Sequence, residues 1–130
     1  MKLTIFLLAA VLGLSECNKD ETISAFVPDG KTWYAISMKA RPFTSELFIE
    51  FPEEGVIRGQ GPCNSFSATQ TEPYPWFNAE NIVATKASCP DIQEEQIFFI
   101  RLRMVTEIEV AGSVMIMTDK DGDEIVFESR

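Results

Sequence analysis

The chain reads as an α+β, β-rich fold: an antiparallel curled sheet or small barrel of about 7–8 strands with one packed α-helix at about 91–105. Three observations predict it. Short runs of β-branched and aromatic residues recur along the chain with turn residues between them. Only one stretch, after Pro90, carries apolar residues at helical spacing. With 130 residues, 45% of them hydrophobic and 24% charged, there is material for one core. A parallel α/β sheet needs a crossover helix between successive strands, and a single helix does not supply them.

Residues 1–16 read as a signal peptide: Met1-Lys2, then the apolar run Leu3 to Leu14. Twelve residues make roughly 18 Å of helix, short of the ~30 Å hydrocarbon core of a bilayer. Leu14-Ser15-Glu16-Cys17 resembles a bacterial lipobox, with Cys17 as the lipid attachment, although Glu16 stands where a small residue is usual. A plainly cleaved signal peptide is the alternative. Residues 17–30 are expected to be a polar tether and 31–130 the folded domain.

Within that domain, Thr32 to Met38 is rich in β formers, and Leu47, Ile49 and Phe51 alternate with Glu46, Phe48 and Glu50, so both read as strands. Pro52-Glu53-Glu54-Gly55 is a turn that returns the chain as Val56 to Gly61. Asn64 to Gln70 forms a further strand with Phe66 and Ala68 on one face, and Asn81 to Thr85 a short one. Between them Glu72-Pro73-Tyr74-Pro75-Trp76-Phe77 is a loop, because its prolines lack donors for a ladder. The helix is expected to start at Asp91 as N-cap, with Glu94 completing a capping box. Phe98, Leu102 and Val105, widened by Ile92, Phe99 and Met104, form its apolar side, and Arg101 and Arg103 suit its C-terminal end. Glu107–Val110, Val114–Thr118 and Glu124–Glu128 complete the strands.

Eleven Lys and Arg against twenty Asp and Glu leave a net charge of −9, which disfavours nucleic acid as a partner. Histidine is absent, which excludes Ser-His-Asp and Cys-His catalysis and imidazole metal ligands. Asp119-Lys120-Asp121-Gly122-Asp123-Glu124 lacks the Gly and the final Glu that an EF-hand requires, so it reads as a hairpin turn. No cofactor or metal is expected.

In an oxidising compartment Cys63 and Cys89 are left to pair once Cys17 is set aside for lipid. That bridge would close a loop of about 27 residues, worth roughly 3.5 kcal/mol in the chain-entropy model. Two reduced, buried thiols are the alternative. Asn64 is expected to bond nearby backbone in a turn. Asn64, Thr85 and Glu95 are candidates for a polar node if the bridge draws their segments together, and Glu95 as a general acid is a minor alternative. Tyr74, Trp76 and Phe77 are either an exposed contact loop or a plug for the open end of the sheet.

The order of these pieces resembles the META domain, the family typified by HslJ-like bacterial heat-shock lipoproteins. The carriers are Cys63-Asn64-Ser65-Phe66, Ala84-Thr85-Lys86-Ala87-Ser88-Cys89-Pro90, then Glu95, Phe98 and Leu102, and Ile125-Val126-Phe127. Pro62, Ala68 and Gln70 stand where the family usually has Gly, Gly and Tyr. The resemblance implies antiparallel strands with one helix, in secreted or envelope-anchored proteins linked to stress or antibiotic tolerance, and no agreed catalytic activity. The expectation is therefore a non-enzymatic exported protein, periplasmic or lipid-anchored at an inner or outer membrane. It would bind an unknown envelope protein, or alternatively carry a small apolar ligand inside the sheet.

Overall fold

A computed structural model describes residues 19–130; the expected signal peptide and Cys17 lie outside them. Among the described residues there are nine strands, β1 (Trp33–Met38), β2 (Arg41–Pro42), β3 (Phe48–Glu50), β4 (Val56–Gln60), β5 (Ser65–Thr69), β6 (Glu80–Ala84), β7 (Val105–Ala111), β8 (Val114–Asp119) and β9 (Glu124–Ser129). The helix α1 (Ile92–Met104) runs between β6 and β7. All pairings are antiparallel in one curled sheet, a half-barrel of order β6-β5-β4-β3-β1-β9-β8-β7, with β2 paired to β1. The two-residue β2 has no hydrophobic alternation and leaves no periodic trace in the sequence.

The period-two pattern decides which face is dry. Trp33, Ile49, Ile57, Phe66, Ala68, Ile108, Met115, Met117, Ile125 and Phe127 point inward, and Phe98 and Leu102 of α1 close over them. Register follows from this burial, with Trp33 opposite Ile49 on one side and Ser129 on the other. The helix passes into β7 without a linker, so Val105 ends the apolar stripe of α1 and begins a strand. The Asp119 to Glu124 stretch is the β8–β9 turn: Asp119 Oδ1 accepts from the N–H groups of Asp121 and Asp123 at 2.9 and 3.0 Å.

Two expectations need correction. Residues 20–27, assigned to a polar tether, pack onto the domain: Ile23 belongs to the core, Thr22 is buried, and Phe26 stacks on Tyr74 with ring centroids 4.3 Å apart. The polar residues there satisfy one another, since Asp20 accepts from Thr22 and Ser24, which leaves Ile23 free to be buried in a short 3-10 turn. Likewise, α1 has no capping box. Asp91 makes no side-chain cap bond, and Glu94 reaches across to another segment.

Candidate functional site

Three segments converge where β5 begins and α1 starts. Cys63 and Cys89 are bonded as a disulfide, their Cα atoms 5.6 Å apart. Beside the bridge, Glu95 in the first turns of α1 is 1% exposed and Asn64 is 3% exposed. A buried carboxylate is tolerated only when its oxygens are satisfied. Glu95 Oε2 accepts from the N–H groups of Cys63 and Asn64 at 2.8 and 2.9 Å, and Oε1 accepts from Asn64 Nδ2 at 2.6 Å.

The Asn64 amide uses its remaining capacity on the strand-to-helix connection. Its Nδ2 also donates to the Ala87 carbonyl at 3.0 Å, and its Oδ1 accepts from the Ala87 N–H at 2.7 Å and from Thr85 Oγ1 at 2.8 Å. Asn64, Thr85 and Glu95 are thus brought together, with Asn64 in the middle. Gly61 completes the arrangement: a Cβ there would stand 2.5 Å from Glu95 Oε2, so only glycine lets the backbone pass. Both Glu95 oxygens are occupied, and Glu95 lines none of the surface grooves described below, which makes this a structural clamp in geometry.

The aromatic loop divides. Phe77 is buried in the core and so takes the plug alternative, not that of a contact residue; its N–H donates to the Thr106 carbonyl at 2.9 Å. Tyr74 is half-buried under Phe26, and its hydroxyl accepts from the Val110 N–H at 3.1 Å. Trp76, by contrast, is 53% exposed although its backbone bridges to Glu107 of β7. Alternation along an extended segment laid on the β7 edge separates the inward Phe77 from the outward Trp76. Gln70, absent from the sequence-based site residues, fixes the base of this loop: its amide accepts from Glu72 and Asn78 N–H groups and donates to the Glu72 carbonyl. A buried Gln flanked by polar residues carries no pattern that distinguishes it from a surface one.

Glu94 was also missed. Its carboxylate accepts from the backbone and hydroxyl groups of Thr44 and Ser45, tying α1 to the segment that leads from β2 to β3. Burial acts to raise its pKa, but the hydrogen bonds from Ser45 and Thr44 outweigh it and hold Glu94 below the ordinary 4.5. The stabilisation is therefore present above the ordinary carboxylate value and is lost as pH falls through the depressed folded value. Ser45→Ala is expected to move the Glu94 titration midpoint back toward 4.5, read by side-chain carboxyl NMR. An unshifted midpoint would detach Ser45 from Glu94.

The inner face of the sheet, where a carried apolar ligand would sit, is occupied by Trp33, Phe66, Phe127 and the helix residues Phe98 and Leu102. Trp33 Nε1 is the only buried side-chain nitrogen or oxygen without a partner among the described residues. The larger open spaces lie outside. One groove of about 670 Å³ runs between α1 and residues 38–44, and another of about 530 Å³ crosses the outer face of β3 to β6. Among the described residues no group of acidic or cysteine side chains is arranged to hold a metal, and no helix is long and apolar enough to cross a membrane.

The family model of the META domain matches residues 25–130. No curated protein matches the chain. Three solved structures share the fold at low identity. A protein solved by NMR aligns with TM-score 0.64 at 17% identity, covering 82% of this chain and 94% of that one. An NMR structure from Burkholderia xenovorans gives TM-score 0.63 at 14% identity, with 83% and 86% covered. A DUF4847 family protein from Bacteroides vulgatus gives 0.62 at 13%, with 82% and 96% covered.

Proposed function

The chain belongs to the META domain family, and from that premise together with its N-terminal sequence we propose an exported envelope protein, lipid-anchored through Cys17, whose domain is a non-enzymatic binding module. The observation that carries the binding role is Trp76, 53% exposed on a loop whose backbone is pinned to β7. A large aromatic held rigidly in water contributes little to folding, but binds at low entropic cost because its backbone is already ordered. Phe26, 50% exposed and stacked on Tyr74, adds a second apolar group to this side of the loop. Export is supported by the Lys2-led apolar run and agrees with the Cys63–Cys89 disulfide, a bond that persists in oxidising compartments. The family resemblance adds stress or antibiotic tolerance as the setting.

The test has two readouts. Cys17→Ser is expected to move the protein from the membrane to the soluble fraction, and a soluble wild type would remove the anchor. Trp76→Ala is expected to change folding stability by no more than about 0.5 kcal/mol, while weakening capture of the envelope partner by about 2 kcal/mol, roughly 30-fold. Unchanged capture by the folded variant would remove the loop from the binding role.

A further inference from the structure

The groove between α1 and residues 38–44 has features that the fold does not need. Helix α1 buries Glu95, Phe98 and Leu102, yet Ile97, Ile100 and Met104 on its opposite side are 48%, 56% and 37% exposed. Spacings of three and four residues place these three in one stripe, and a helix that is apolar on both sides has a second surface to cover. Ile97 lines the groove together with Met38, Pro42 and Phe43.

The charged lining is lopsided in a protein of net charge −9. Lys39, Arg41 and Arg101 line the groove against one acid, Glu94. That acid is spent on Thr44 and Ser45, and those same bonds fix residues 44–45 to α1 and so hold the groove open. Lys39 and Arg101 share Asp123, at 3.4 Å each. Arg41 is exposed and has no carboxylate within ion-pair distance among the described residues. Lys39 and Ala40 both have positive φ, +50° and +61°, in the two-residue turn that carries the chain from β1 to β2 and sets Arg41 at the groove.

We propose that this groove binds a single-chain anionic amphiphile, with the carboxylate or phosphate end on Arg41 and the apolar chain over Phe43 and Ile97. The volume, about 670 Å³, lies in the range of small-molecule sites. An uncompensated guanidinium beside an apolar surface suits an anion joined to a hydrocarbon chain: the cation fixes the head, and burial of CH₂ groups supplies the affinity. The site lies outside the sheet, does not use Trp76, and stands or falls separately from the partner-binding loop.

The experiment is an NMR titration of the purified protein with dodecanoate, dodecyl phosphate and uncharged dodecyl maltoside, each below its micelle concentration, with anionic phospholipid vesicles as a separate arm. Amide shifts are expected to concentrate at residues 38–44 and 93–101. Arg41→Glu and Ile97→Asp should each weaken dodecanoate binding about tenfold or more, while Arg41→Lys stays within about threefold and Trp76→Ala has no effect. Arg58→Glu, an exposed cation on another face, is the control for net charge. Preference for dodecanoate assigns a free fatty acid, and preference for dodecyl phosphate assigns a phosphate-bearing lipid. Equal binding of the uncharged chain, shifts centred elsewhere, insensitivity to Arg41→Glu, or binding to vesicles alone would each overturn the proposal. Should Ile97→Asp fail to fold, the Arg41 variants decide.

Discussion

Phe98→Ala is expected to lower the unfolding free energy by about 3–5 kcal/mol. Phe98 is fully buried, and its ring lies 5.7 Å from Phe66 of β5, 6.4 Å from Phe127 of β9, and 6.3 Å from Phe43 ahead of β3. These residues come from both halves of the curled sheet, so the ring is the point where α1 ties the halves together. Truncation leaves a void lined by aromatic rings that are themselves held by strands, and such a site collapses poorly. For a domain with about 5–15 kcal/mol of total stability the loss is roughly a fifth or more. Urea unfolding would show it as a lower midpoint at constant slope. A loss under about 1 kcal/mol would mean that the helix does not seat on the sheet through this ring.

The sequence made Phe98 legible because helical spacing and burial coincide there, as they do at Leu102. The strands with strict alternation, Ser65–Thr69 above all, are legible for the same reason. Asn64, Thr85 and Glu95 were also open to sequence reasoning, because one disulfide between Cys63 and Cys89 draws all three segments to one place. What escaped was set by tertiary partners that leave no local period. Glu94 sits three residues after a good N-cap, yet four donors on Thr44 and Ser45 outcompete the single N–H of a capping box. The segment around Ile23 looks like a tether because its neighbours are polar, and those polar groups bond one another. The aromatic loop looked uniform, whereas its contact with β7 sorts Phe77 inward and Trp76 outward.

Glu95→Ala is expected to cost about 3 kcal/mol or more, because three donors lose their acceptor at once: the N–H groups of Cys63 and Asn64 and the Asn64 side-chain amide. Each unsatisfied buried group costs about 1–3 kcal/mol, reduced where water enters the space left behind. Glu95→Gln keeps the volume but places an amide where one oxygen was. It must turn its NH₂ either toward two backbone donors or toward the Asn64 amide donor, so it too destabilises, by about 1–3 kcal/mol. Asn64→Ala removes the bonds to Thr85 and Ala87 as well, freeing the strand-to-helix connection while Glu95 retains its two backbone donors. The two residues share a bond, so the double variant Asn64→Ala/Glu95→Ala should be less destabilised than the sum of the singles, by about 1–3 kcal/mol. Measuring the cycle with the Cys63–Cys89 bridge oxidised and again reduced separates the clamp from the crosslink. The bridge acts mainly on the unfolded chain, so the coupling energy should persist when it is opened. Additive singles, or a coupling that vanishes on reduction, would show that the hydrogen bonds follow the disulfide rather than hold α1 to the sheet on their own.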